Sequence, residues 1–561
     1  MAQDRYACRV LWLLLFPAVC IGPGLFSSRA QEVPQATPTG TSPPDKPVKL
    51  VQPPPAPPMP LDMARQHYWN GDYKRAAAVY SQIIAGGKDV AGAYAGLARA
   101  YLKLRKVEEA YKAAAQAVEV EPSLAGAHAA LGEVYFRQGK LKEAEQEFLT
   151  TLGANKDDAR AYFGLSRIYR AKFDANRART ALDRAHALEP KDPEINVDWL
   201  ETRPAVEQIH ALEAFVLSGG HGEHIGRAGA RQLLVMLKDQ QAHPGRTCQM
   251  AHRVRQAKMT IEPIYSLSRG ALDKMYPGVG LDARLNGHSA RLLVETSSNR
   301  IVLNQKTAQE AGVQQIVRTE MEGAGDENPP ESYTGFVESI RIGEVELKGC
   351  YVTVIEDASP DNYLGDREGA IGVGIFASFL VDLDLPHSTL WLTELPPYPQ
   401  GSVENAEVRG NGTDRAEVHD RYIAVEMADW IALYRSNQLL LLPVYVNEAK
   451  AKLFGISLGS SVSVISGEVA SEVSTVKSDP LARVRGLNGE VKNGRKTGDL
   501  KLRFAGLEFE KRVLPVVDMS LYSENNFEVA GLLGFPLLSD FEIRIDYRDG
   551  LISFDSRFRR K

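Results

Sequence analysis

Cysteine is scarce in this chain, with four residues among 561. Cys8 and Cys20 fall in an N-terminal apolar segment, which leaves Cys248 and Cys350 for the rest. Two cysteines permit one bridge in an oxidising compartment and exclude a disulfide framework. Net charge is scarce too: −5 over the whole length. That argues against a nucleic-acid partner or a polybasic membrane surface. Beyond the N-terminal segment no apolar run is long enough to span a bilayer. No Gly-x-x-x-x-Gly-Lys-Ser/Thr loop is present to cradle phosphate. No Gly-x-Ser-x-Gly elbow is present either: Leu458-Gly459-Ser460-Ser461-Val462 lacks the second Gly. His221, His224, His243, Cys248 and His252 match no zinc spacing, so neither a metal nor a cofactor is expected.

What is present reads as several globular domains, with 44% hydrophobic and 24% charged residues. Arg5 and Arg9, the apolar run Leu11 to Ile21 broken by Pro17, and Ser28-Arg29-Ala30 form the pattern of a signal peptide over 1–30. The competing reading is an uncleaved anchor. Val19 before Cys20 argues against a lipoprotein. The expected location is outside the cytoplasm, periplasmic or extracellular. Residues 31–60 form a Pro-rich linker ending in Pro53-Pro54-Pro55-Ala56-Pro57-Pro58, which favours extended backbone and buries no core. Asn411-Gly412-Thr413 reads as a plain loop.

A 34-residue period runs over 61–190. Ala76, Ala110, Ala144 and Ala178 share one step; His67, Tyr101, Tyr135 and Tyr169 share another; Leu97, Leu131 and Leu165 a third. Each unit reads as a helix hairpin, with the small residue allowing close approach and the large ones filling the space between hairpins. This resembles a tetratricopeptide array, an all-α solenoid. Pro60 stands where the first unit should have an aromatic. The resemblance implies a protein or peptide ligand on the concave face. Arg65, Arg99, Glu133 and Arg167 lie two residues before the recurring aromatic, with Trp69, Lys103, Arg137 and Arg170 nearby. Such a face is expected to favour acidic or C-terminal carboxylate ligands; the alternative is a solvated charged face.

Residues 191–275 are expected to be a helical linking region, broken at Gly219-Gly220-His221-Gly222. From 276 onward, short β-branched runs alternate with Gly and Asn turns, which indicates an all-β region. Within it, two segments repeat at a constant offset. The first copy has Leu292-Leu293-Val294-Glu295-Thr296-Ser297-Ser298-Asn299, and the second has Phe454-Gly455-Ile456-Ser457-Leu458-Gly459-Ser460-Ser461. Glu295 and Ser457 stand 162 apart (457 − 295 = 162), as do Gly369 and Gly531, Gly372 and Gly534, and Asp384 and Asp546. The turn Asn286-Gly287, the motif and the closing Gly-x-x-Gly resemble a retropepsin-like aspartyl protease of the kind found in bacterial exported proteins. The implied architecture is tandem retropepsin-like lobes over 276–395 and 436–561, joined by a linker over 396–435.

That fold uses two aspartates sharing one proton, one staying protonated while the other activates a water. Here Glu295 and Ser457 occupy those positions, and Ser297 replaces the motif Gly. A Glu/Ser pair cannot form the dyad. The expectation is an exported interaction or scaffold protein whose protease-like module is inactive. The competing expectation is an atypical aspartic-type endopeptidase, with Glu295 as a lone base or with a second carboxylate supplied by Asp357 or Asp361. Nothing in the sequence fixes an oligomeric state.

Overall fold

The computed structural model describes residues 60–217, 227–266, 275–320, 330–356, 364, 367–397, 421–479, 484–486, 489–491, 494–523 and 526–556. The expected signal peptide, the Pro-rich linker up to 59, His221, His224, the Gly219–Gly222 break, Asp357, Asp361 and Asn411-Gly412-Thr413 lie outside the described residues.

The period becomes four helix hairpins: α1 Pro60–Trp69, α2 Tyr73–Ala85, α3 Val90–Lys103, α4 Val107–Val120, α5 Ala125–Arg137, α6 Leu141–Ala154, α7 Ala159–Ala171 and α8 Ala175–Leu188. Pro60, out of place as an aromatic, opens α1, where a missing N–H costs nothing. Asp72, Asp158 and Asp174 cap their helices by accepting the amides of Arg75, Ala161 and Arg177. Ala76, Ala110 and Ala144 are fully buried, and Leu97, Leu131 and Leu165 are buried between hairpins. Periodicity continues past 190: α9 Pro193–Glu201 starts 34 residues after α7 (193 − 159 = 34), followed by α10 Ala205–Leu217 and α11 Arg227–Ala242.

The turn inside each hairpin needs one left-handed residue. Gly71, Arg105, Gly139 and Phe173 fill it at φ 80°, 58°, 70° and 65°. Glycine suits that backbone; a side chain there costs about 1 kcal/mol. The two exceptions reach the second β lobe. Arg105 Nη2 donates to the Ser520 carbonyl at 3.3 Å. The Phe173 ring lies against Gly550 and under the Arg435 guanidinium at 4.2 Å. Between them, Gly139 touches Leu453, Arg137 donates to the carbonyls of Ser523 and Asn526, and Glu528 N donates back to the Arg137 carbonyl. Phe136 meets Phe527 edge to face at 5.5 Å. One apolar cluster therefore runs from Phe136, Phe148 and Leu165 into Leu439, Leu453, Phe527 and Leu532. The solenoid edge is fused to the β module.

The segment expected to be a helical link over 191–275 divides after α11. Gln249–Met250 and Gln256–Ser266 are strands. The reason is an alternation: Ala257, Met259 and Ile261 are buried while Lys258, Thr260 and Glu262 are exposed. Cys248 and Cys350 form a disulfide that ties this segment to the strand Val345–Ile355.

Both β lobes have the expected build. In the first, the Asn286-Gly287 turn at φ 50° and 91° joins Met275–Leu285 to His288–Glu295. In the second, Leu439–Val446 pairs with Lys452–Ser457. A short helix follows each motif, Gln305–Glu310 and Gly467–Val473, capped by Asn304 and Ser466. Their starts differ by the same 162 (467 − 305 = 162). The lobes meet in a common antiparallel sheet, where Leu380, Asp382 and Asp384 pair with Asp546, Arg544 and Glu542. Its central pair, Asp382 and Arg544, again differs by 162 (544 − 382 = 162), which puts a pseudo-two-fold axis through it.

Candidate functional site

Each lobe delivers its motif at the end of a buried strand. Glu295 pairs in parallel with Gly372, and Ser457 with Gly534. Both glycines are obligatory for lack of space. A Cβ on Gly372 would fall 2.2 Å from the Ser298 carbonyl oxygen, and one on Gly534 would fall 2.4 Å from that of Val462. The two motif loops thereby face each other across the pseudo-axis.

The residues at the two expected dyad positions touch. Ser457 Oγ donates to Glu295 Oε2 at 3.2 Å, and the Ser297 amide donates to Oε1 at 2.8 Å. The backbone amide at the motif Gly position thus reaches the carboxyl although that position is Ser297. Glu295 and Ser457 are only 4% and 5% exposed. Burial pushes the Glu295 carboxyl above its ordinary range, and the hydrogen bonds from Ser297 and Ser457 only partly offset this. The longer Glu stem meets the shorter Ser, so the pair fills the interface without the collision that Glu opposite Asp would cause. Thr296 adds a second bridge, donating to the Ile456 carbonyl at 2.9 Å and accepting from the Leu458 amide at 3.1 Å. Its counterpart across the axis is Leu458, so this bridge exists once. Tyr522 lies close enough to feel Glu295: burial, then the Glu295 charge, pushes its phenol up to about 12.

Chemically the site offers one carboxyl, raised by burial, with the hydroxyls of Ser457 and Ser297 bonded to it. Among the described residues no second carboxyl, as a shared proton requires, contacts Glu295; Asp357 and Asp361 lie outside them. No group of three His, Cys, Asp or Glu fit to hold a metal occurs among the described residues, and Cys248 is spent in its disulfide.

The residues expected to line the helical groove are placed as follows. Arg99 pairs with Glu133 at 2.9 Å, Lys103 with Glu194, and Arg170 with Asp198 at 2.6 Å. Arg167 stacks over Phe136 at 4.3 Å, and Arg65 lies over Trp69 at 6.0 Å. Arg137 points away into the second lobe. Sequence reasoning missed Arg160, which holds Asp192 and Glu194, each at 2.5 Å. One and two periods earlier stand Gly126 and Gly92, so the repeat gave Arg160 no emphasis. Glu194 lay past the expected end of the array.

Two families match parts of the chain. Residues 61–125, 96–155 and 129–193 match the tetratricopeptide repeat, and residues 281–366 match the aspartyl protease family, within the first lobe. The chain therefore combines tetratricopeptide repeats with an aspartyl protease-like domain. No curated protein matches it. Among solved structures it is similar to the second tetratricopeptide domain of human RPAP3 in complex with an HSP70 peptide, at 36% identity over 19% of this chain and 91% of that one, TM-score 0.18. It is similar to a thermophilic tetratricopeptide protein of Thermus thermophilus, at 22% identity over 33% and 90%, TM-score 0.22. A tetratricopeptide repeat protein of Parabacteroides merdae shares 16% identity over 33% and 71%, TM-score 0.23.

Proposed function

We propose that this chain is an exported interaction protein whose array engages a protein or peptide partner, while its protease-like lobes form an inactive, structural module. The carrying observation is the hydrogen bond from Ser457 to Glu295, which takes the place of a carboxyl pair. A lone positioned base supplies only about 10²–10⁴-fold of rate. Export is supported by the signal-like N-terminus and by the Cys248–Cys350 bridge, a bond that persists in oxidising compartments.

The test is peptide hydrolysis at acidic pH, with and without pepstatin. No pepstatin-sensitive cleavage is expected. Cleavage that pepstatin blocks and Glu295→Gln abolishes would overturn the reading in favour of an atypical aspartic-type endopeptidase.

A further inference from the structure

The concave face of the array already holds a carboxylate. Glu194 stands in the first turn of α9, which Asp192 caps by accepting the amides of Glu194 and Ile195. One oxygen of Glu194 accepts from Arg160 Nη1 at 2.5 Å and from the Tyr68 hydroxyl at 3.1 Å; the other pairs with Lys103. These donors come from α7, α1 and α3, three different hairpins. Burial alone would raise the Glu194 carboxyl, but Lys103 and Arg160 reverse this and hold it well below the usual range. Three donors from separate repeats close on Glu194, Arg160 through Nη1 while its Nη2 holds Asp192, and form a receptor for an anionic group that the chain itself supplies.

We infer that Glu194 is an internal competitor: it occupies the place of a carboxylate from an acidic peptide, which enters the groove only when Glu194 is withdrawn. This rests on reading the array as the partner-binding part. The competitor is tethered, so its effective concentration is high and a free peptide must outmatch it. Withdrawal does not require α9 to unfold. The helix stays anchored by Ile195 and Val197, both buried, and only the Glu194 side chain turns. Lys103 and Glu194 retain 19% and 14% side-chain exposure, so the receptor is reachable from the rim.

The experiment uses the full chain and a short fluorescein-labelled peptide of Asp and Glu ending in a free carboxylate. Its binding is read by fluorescence anisotropy, with thermal unfolding recorded for every variant. Glu194→Gln removes the competing charge and should bind the peptide roughly tenfold more tightly than the natural chain, as expected for freeing one charge-assisted contact. Glu194→Asp keeps the acidic first turn of α9 but shortens the reach, and should shift affinity the same way if the first variant folds poorly. Equal affinity in natural chain and folded variants overturns the competitor and leaves the array reading intact. Binding by neither overturns the acidic-peptide reading of the groove together with this inference.

Discussion

A carboxyl facing a hydroxyl is a smaller electrostatic problem than two carboxyls. Burial raises the Glu295 carboxyl, and the hydrogen bonds donated by Ser297 and Ser457 partly offset this. Ser457→Asp should therefore restore the problem without the chemistry, since the longer Glu stem leaves no room for a second acid. At neutral pH the buried extra charge should lower stability by roughly 3 kcal/mol. Near pH 4, where carboxyls protonate, the part of the loss due to charge should vanish and only the crowding should remain. Urea unfolding at the two pH values checks this, and an equal loss at both would show that packing, not charge, is responsible. Thr296 carries a different load. Thr296→Val keeps the shape but strands the Leu458 amide and the Ile456 carbonyl. The expected cost is about 1–3 kcal/mol, read as a lower denaturant midpoint with unchanged slope.

Elements follow the repeats closely, and the four intra-hairpin turns show where function departs from the period. Gly71 and Gly139 satisfy the left-handed turn; Arg105 and Phe173 strain it to reach the second lobe. Their contacts differ in weight. Arg105 makes one exposed hydrogen bond, whereas Phe173 packs between Gly550 and Arg435. Arg105→Gly should be neutral or stabilising by up to about 1 kcal/mol, because the relaxed backbone outweighs a surface contact. Phe173→Gly should cost about 2–3 kcal/mol, because lost burial outweighs the same relief. Thermal unfolding of both variants tests the contrast. How much was legible follows from the same logic. The hairpins were readable because Ala, Leu and Tyr recur at 34, and the lobes because glycines recur at 162. The helix Gly467–Val473 was obscure because it is short and opens on Gly, although Val469 and Ala470 are buried. The strand Gln256–Ser266 was assigned to a helical region although its alternation was written in the sequence. The Glu295–Ser457 opposition was legible from the 162 offset; Thr296 bridging was not, because its hydroxyl meets the backbone of Ile456 and Leu458, and Glu194 binding was not, because Glu194 lies past the expected end of the array.

The whole molecule is organised by one pseudo-axis and one fused edge. The axis runs through the Asp382–Arg544 pair and relates Glu295 to Ser457; the edge locks the array onto the second lobe. Both junctions carry carboxyls that burial disfavours as anions. Asp382 is pushed up to about 7 by burial and then by Glu542. Glu528, beside Arg137 at the edge, is also pushed up to about 7, by burial and then Glu468. Asp546, on the shared sheet, is pushed up to about 6, by burial and then Asp549. An unfolded carboxyl titrates near 4, so between about pH 4 and about pH 7 the folded chain binds more protons than the unfolded one. Stability then rises as pH falls through that window and declines as pH rises through the folded values. Below it the sign reverses, because Glu194 and Glu346, the latter lowered to about 2 by hydrogen bonds from Lys348, Ser339 and Arg341, lose their partners when protonated. The melting temperature should therefore be higher at about pH 5 than at about pH 8. Asp382→Asn should reduce that difference by making one of the three carboxyls permanently neutral. A melting temperature that falls steadily from about pH 8 to about pH 5 would refute the assignment, as would an Asp382→Asn variant with an unchanged pH profile.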